Sequence, residues 1–330
     1  MPSLSRRATA KVSRTARSAR RRAATRVLGV PRVQSAIVRA GSLLPFDAWQ
    51  QRGWHLTPNH FYSPIPDTRE LVPALHATTD LSGIDMRDEA QQQLLQELSA
   101  EVGEEWAALP RAAIDETTFF VDNQAFESVD AEMLYGLVRH LKPKRYCEIG
   151  SGWSTMCALT AARRNVAEGH ACELEAIEPY PYEFLQKVAA ADPLLHLSVM
   201  KAQDVPMDRF TSLGAGDILF IDSSHVLRAG SDVQREYLEI LPRLAPGVFV
   251  HVHDIFLPAE YPQSWYFEEH RFWNEQYLLQ AFLIGNQMFE VLWAGNYMHQ
   301  RHPEALERTI PSYDRATRQP GSFWLRRTDS

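Results

Sequence analysis

Between residues 145 and 253 the apolar positions fall into short runs, and the stretches between those runs carry helical spacing. Tyr146, Cys147 and Ile149 suit a buried strand, and the runs at 172–177, 196–200, 217–221 and 247–253 suit further strands. The segments 154–164, 182–190 and 231–241 read as helices, the last opening on Ser231 with Gln234 as a capping box. Strands alternating with helices predict a parallel sheet covered on both faces. Beyond it, a helix over 273–284, a strand over 289–293 and a strand over 322–325 predict an antiparallel hairpin closing the sheet. The expected fold class is α/β: a doubly wound, mostly parallel sheet with a C-terminal antiparallel hairpin and an N-terminal helical extension.

The extension is less regular. Leu94, Leu95, Leu98, Val102 and Trp106 mark one face of a helix over 88–109. Leu134, Leu137, Val138 and Leu141 mark another over 130–141, stopped by Lys142-Pro143-Lys144. Residues 27–44 are mildly apolar and helical in character, and 118–121, TFFV, read as extended. Residues 54–67, WHLTPNHFYSPIPD, hold too many prolines for a helix or a central strand and too many aromatics for a floppy linker. An ordered loop is expected there, packed on the body or acting as a lid with His60 and Tyr62 turned toward a substrate. The expected division is a basic arm over 1–26, a helical and loop extension over 27–128, and a main domain over 129–330.

Composition narrows the class. Apolar residues at 45% and charged residues at 23% describe a soluble globular chain, and no run approaches the ~18 apolar residues of a membrane span. Cys147, Cys157 and Cys172 lack C-x-x-C spacing, which points to a reducing, cytoplasmic setting and away from zinc. The net charge of -7 is unevenly spread: residues 1–26 hold nine Arg or Lys and no acid, leaving 25 basic and 41 acidic residues, a formal -16. A body this acidic predicts no nucleic-acid partner. The arm reads as a solvated tail or as a contact for a membrane surface or an acidic partner. Its Arg- and Ser-rich, acid-free make-up also matches an organelle transit peptide.

Candidate chemistry gathers where the first strand ends. In RYCEIGSGWST, residues 145–155, Gly150 and Gly152 flank Ser151 and permit a tight turn and a close backbone approach to a ligand. Ser154 and Thr155 can cap the next helix, whose first N–H groups are free for a polar group. Glu148 would repel a dinucleotide phosphate but welcome a cation such as S-adenosylmethionine (SAM), which carries an ammonium and a sulfonium. In an open α/β sheet the ligand lies beyond the carboxyl ends of the strands. Glu178, Asp204, Asp222 and Asp254 each follow an apolar run at such an end. Glu178, followed by Pro179, is suited to take two ribose hydroxyls; it lies 28 residues beyond Gly150, longer than the ~20 of a dinucleotide site. Gln203 and Asp204 are suited to accept from an adenine amino group.

Taken in order, E-x-G-x-G-x-S at 148–154, Glu178 after the second strand and the terminal SFWL resemble a class I SAM-dependent methyltransferase. More narrowly, NHFYSPIPD, EIGSGWST, FIDSSHV and HVHDIFLP resemble a bacterial O-methyltransferase-like group of the sugar and specialised-metabolite type, over roughly residues 54–326. The resemblance implies a Rossmann-like fold and a small-molecule acceptor. It implies SAM at Glu148, Gly150, Ser151, Gly152 and Ser154, ribose at Glu178 and adenine near Asp204. Asp222 and Ser223 join the expected cofactor set. Asp222-Ser223-Ser224-His225 stands where nucleic-acid and protein N-methyltransferases often carry Asn/Asp-Pro-Pro-aromatic, which points away from an amino acceptor.

Methylating an alcohol requires removal of its proton by a base or a metal. His225, just after the fourth strand, is the expected base, with His253 and Asp254 at the end of the fifth. His251 is expected to be buried and hydrogen-bonded. Trp265, in an aromatic stretch over 258–272, is expected to stack on the acceptor. Asp222 and Asp254 can share Mg²⁺, although His253 stands where related sugar and macrolide enzymes carry an acidic residue. The alternatives are an NAD or nucleotide-sugar oxidoreductase on the same fold and a non-catalytic adapter working through the arm. The absent third glycine, the spacing to Glu178 and Glu148 itself count against the first.

Overall fold

The computed structural model describes residues 30–71 and 78–329, so the basic arm lies outside the described residues. The strands are β1 (Arg145–Ile149), β2 (Glu173–Ile177), β3 (Leu195–Ser198), β4 (Ile218–Ile221), β5 (Phe249–Val252), β6 (Phe289–Ala294) and β7 (Phe323–Arg327). They form one Rossmann-like sheet in the order β3-β2-β1-β4-β5-β7-β6. The first five pair in parallel. Such strands read as continuous apolar runs because helices cover both faces, and β4 is buried at every position. On one face Phe220 and Tyr146 meet helices Asp130–Leu141 and Trp153–Ala167 through Leu134, Val138 and Ala158. On the other, Leu219, Ile221 and Cys147 meet Val233, Tyr237 and Ile240.

The closing hairpin is more elaborate than expected. β7 lies between β5 and β6 and is antiparallel to both. Helices Gly295–Arg301 and Pro303–Thr309, which the apolar pattern does not predict, fill the connection. Two further expectations change. Residues 118–121 are no strand: Phe119 and Val121 are buried in an irregular segment. The Asn123 side chain fastens it, donating to the Phe120 and Phe126 carbonyls. The helix expected over 231–241 is one α turn, Asp232–Arg235, then a π turn, Glu236–Ile240, then a 3₁₀ turn, Leu241–Arg243. Ser231 Oγ accepts the Gln234 N–H at 3.1 Å, but the Gln234 side chain takes the Gly230 N–H instead of completing the box.

The chain divides into two compact units, Met1–Asp67 and Thr68–Ser330. Helix Asp88–Ala107 belongs with the sheet: a Cβ at Gly136 would sit 2.8 Å from the Trp106 ring, so the glycine lets the two helices close. In the first unit, helices Pro31–Ser42 and Phe46–Gln50 are tied by Trp49 Nε1 donating to Gly41 O at 2.9 Å. Among the described residues no helix is long and apolar enough to cross a membrane. All three cysteines are buried thiols.

Candidate active site

The register of three strands builds the site. Ile149 pairs with Ile177 and with Ile221, so Gly150, Glu178 and Asp222 emerge level at the strand ends. The strand order reverses at β1 and β4, the crevice where open α/β sheets take ligands. Gly150 has φ +82°, and a Cβ there would fall 1.8 Å from the Asp222 carbonyl oxygen. The glycine is demanded first by the approach of two strand ends. Gly152, at φ 175°, is ordinary extended backbone.

A cavity of about 570 Å³ opens there, lined by Gly150, Glu178, Pro179, Gln203, Asp222 and Ser223, with Tyr180 and Ala202 beside them. Glu178 Oε1 accepts the Tyr180 N–H at 2.7 Å, and burial raises its carboxyl above the usual carboxylate range. The other cofactor candidates do not line this cavity. Asp204 is exposed at the end of the turn Ala202–Asp204. Gly152 and Ser151 lie in the preceding loop, Ser151 with a buried hydroxyl that has no partner. Ser154 is no cap: its hydroxyl donates to Glu148 Oε1 at 2.5 Å, and Thr155 Oγ1 takes the Gly152 N–H instead. Glu148 is wholly buried on β1, and burial pushes its carboxyl up to about 8 against the Ser154 and Thr155 bonds. The expected free carboxylate is therefore a protonated acid at neutral pH. Its Oε2 has no partner.

A second cavity of about 370 Å³ is lined by His253, Asp254 and Trp265, with Glu127, Arg315 and Arg318 among its polar walls. The two cavities are joined through one side chain. His225 Nε2 lies 3.1 Å from Asp222 Oδ1 and 3.7 Å from Asp254 Oδ2, while its Nδ1 lies 2.8 Å from Glu275 Oε2. Its ring packs on Trp273 at 4.2 Å. His225 and Asp254 both hold left-handed backbone, φ +57° and +56°, a strain that collects at working sites. β5 has ended at Val252, so residues 253 and 254 do not alternate across the sheet.

Residues 147–255 match the methyltransferase-domain family. The matched segment begins within β1, ends just past β5 and includes every residue that lines the first cavity. An uncharacterized protein of Archaeoglobus fulgidus is 28% identical over 163 residues, 47% of this chain and 72% of its own length. A putative protein-L-isoaspartate O-methyltransferase from Plasmodium falciparum, solved with S-adenosyl-L-homocysteine, is 14% identical with TM-score 0.31, covering 49% of this chain and 83% of its own. An apo TDP-rhamnose 3'-O-methyltransferase of calicheamicin biosynthesis is 13% identical with TM-score 0.39, covering 77% and 98%. A putative methyltransferase from Thermobifida fusca is 13% identical with TM-score 0.31, covering 61% and 82%. Structural scores this low add nothing to the reading of function.

Electrostatics reassign the histidines of the site. Burial pulls His225 down, but Asp222, Glu275 and Asp254 outweigh it and hold the ring well above the usual imidazole range. An imidazolium has no lone pair to receive a proton, so His225 is not the free base expected. Burial also opposes the charge on His253, and Asp254, Asp222 and Asp130 again outweigh it. Asp222 sits below the usual carboxylate range, since His253 and His225 overcome its burial. His251 is buried but not hydrogen-bonded: neither ring nitrogen has a partner, and Phe220 stacks on it at 3.9 Å. Burial and the neighbouring His253 hold it well below the usual range and therefore neutral.

Asp222, His225 and Asp254 each offer an atom within 4.8 Å of the others, a spacing that a divalent ion can bridge. Glu275 on the far nitrogen of His225 would then fix the tautomer, as outer carboxylates do in histidine metal sites. One imidazole with two carboxylates departs from the all-oxygen shell expected for Mg²⁺ and suits Mn²⁺, Fe²⁺ or Zn²⁺ better.

His60 and Tyr62 fall in the other unit, where both are exposed and His60 Nδ1 accepts the Tyr62 N–H at 3.1 Å. Glu275 and Glu236 went unnoticed in the sequence. Glu275 lies on one helical stripe with Leu279 and Leu283, and Glu236 falls among Val233, Tyr237 and Ile240. An acid on an apolar stripe was the available signal. Glu236 Oε2 accepts from Ser223 Oγ at 3.1 Å, and burial raises it well above the usual range.

Proposed function

We propose that this chain is a SAM-dependent methyltransferase acting on a hydroxyl of a small polar acceptor, a sugar or specialised metabolite. The observation that carries the reading is that two cavities meet at the Asp222–His225–Asp254 group, one of them at the switch point of a methyltransferase domain. The first suits SAM. Glu178 and Gln203 offer acceptors for ribose and adenine, and the Asp222 carboxylate suits the cationic end. The second suits the acceptor, with Trp265 as an apolar wall among charged groups.

SAM supplies a methyl group on a sulfonium leaving group. With SAM bound, transfer of that methyl group to an acceptor oxygen would require the hydroxyl proton to leave. His225 already holds a proton, so Asp254 receives it on the acceptor side. His225 and His253 nitrogens stand 3.7 Å from the two Asp254 oxygens. In a metal-assisted form Asp222, Asp254 and a deprotonated His225 would hold a divalent ion, which would supply Lewis acidity to the hydroxyl.

Calorimetry with SAM tests the reading. Binding is expected, read from the heat of injection. Glu178→Ala and Asp222→Asn are expected to weaken binding at least roughly tenfold, the loss of one charge-assisted contact. No heat at millimolar SAM overturns the proposal. Loss of turnover on chelation, restored by Mn²⁺ or Zn²⁺, separates the metal-assisted form from the metal-free one.

A further inference from the structure

The connection between β6 and β7 brings to the second cavity a histidine that takes no part in the proton chemistry around His225. His299 lies on helix Gly295–Arg301, whose first residue is seated against the approach to β7. The Gly295 N–H donates to Ser322 O at 2.8 Å, and a Cβ at Gly295 would come 3.0 Å from the Pro320 side chain. One turn further along, His299 lines the cavity of about 370 Å³ that Asp254 and Trp265 also line. Its Nδ1 is bonded to the Tyr313 hydroxyl at 2.7 Å. Its Nε2 has no hydrogen-bond partner among the described residues and is not enclosed by protein, which leaves it open to the cavity. Burial and the neighbouring Arg315 charge hold the ring below the usual imidazole range, so it is neutral at pH 7. Burial pushes the Tyr313 hydroxyl up to about 12, so that partner stays a phenol.

We propose that His299 is a specificity-determining residue of the acceptor cavity: its Nε2 binds a second hydroxyl of the acceptor while Asp254 holds the one to be methylated, so the acceptor is a neutral, polyhydroxylated molecule of about monosaccharide size. The inference rests on the methyl-transfer reading. A neutral imidazole donates from Nε2 in one tautomer and accepts there in the other, and a hydroxyl can answer either. Tyr313 is the positioning residue, because its bond to Nδ1 fixes the plane of the ring. An acidic handle on the acceptor would need a free cation, and each cation at this cavity already faces a carboxylate. Arg315 faces Glu304 at 3.2 Å, Arg318 is held by Glu127 and Asp122, and His253 stands 3.7 Å from Asp254. An acceptor with a single hydroxyl would take Nε2 out of water and leave it unpaired. The Trp265 ring offers an apolar face to the C–H side of a sugar-like ring.

The test offers the full chain methyl-labelled SAM and a panel of neutral polyols (monosaccharides, their methyl glycosides and inositols) beside alcohols and phenols that carry one hydroxyl. Methyl transfer is expected to the polyols. With the best of them, His299→Ala is expected to raise KM roughly tenfold, a rise larger than any fall in kcat. His299→Gln, which keeps a polar atom near the place of Nε2, is expected to bring KM back to within about threefold of the parent. Tyr313→Phe is expected to raise KM about threefold in the same pattern. An unchanged SAM affinity in each variant is the control for folding. A deoxy analogue lacking the second hydroxyl is expected to have the same KM with the parent and with His299→Ala. An unchanged KM in His299→Ala overturns the proposal, and so does a preference for acceptors with one hydroxyl. SAM binding without methylation of any polyol also overturns it and leaves the methyl-transfer reading standing, whereas absence of SAM binding removes both.

Discussion

Glu148 is the residue at which position and charge part company. Its side chain is fully buried, bonded to Ser154, and its carboxyl is pushed up to about 8 by burial. An unfolded chain gives up that proton near the ordinary value of 4.5, and the folded one near 8. Between those values the unfolded state binds fewer protons, so folding stability falls as the pH rises and levels off above about 8. Glu148→Gln removes this slope. Its stability relative to the parent is expected to rise by on the order of a few kcal/mol from about pH 5 to about pH 8, measured by denaturant unfolding without SAM. A constant difference across that range would rule out the buried acid. The sequence made Glu148 and His225 visible as site residues, the first by standing two positions before Gly150 and the second by following the fourth strand. It concealed their protonation, which depends on groups far away in the chain, such as Glu275, 50 residues beyond His225.

Among the elements, the short turn Asp232–Arg235 does more than connect. Arg235 donates through its two terminal nitrogens to the carbonyls of Ala202, Gln203 and Val205, and so holds the segment after β3 that forms one wall of the first cavity. Arg235→Ala is expected to weaken SAM binding roughly three- to tenfold, with a stability loss of about 1–3 kcal/mol for the unpaired buried carbonyls. Unaltered affinity would show that this wall needs no support. The π turn that follows carries Glu236 beneath Ser223, and wide turns of this kind recur at functional sites. The parallel strands were legible because full burial makes them uninterrupted apolar runs, as at Ile218–Ile221. TFFV was misleading for the same reason: Phe119 and Val121 are buried without a partner strand. Helices Gly295–Arg301 and Pro303–Thr309 escaped notice because each is too short to complete an apolar stripe.

For the molecule as a whole, the keystone is β7, which fills the gap between β5 and β6 and contributes Trp324 to the core. The ring is fully buried, with centroids 4.9 Å from His251 and 6.4 Å from Phe220. Trp324→Ala is expected to cost about 3–5 kcal/mol, read from the denaturant midpoint; a loss below about 1 kcal/mol would mean that the sheet closes without it. The same strand has a temporal side. Gly321, just before it, donates to Asp130 and accepts from Ile255, and Gly295 is bonded to Ser322. On the ribosome, β5 therefore waits with an open edge while some seventy residues are added. The second cavity, walled by Gly321, Gln319 and Arg318, takes shape only when these residues have been made and β7 has paired with β5.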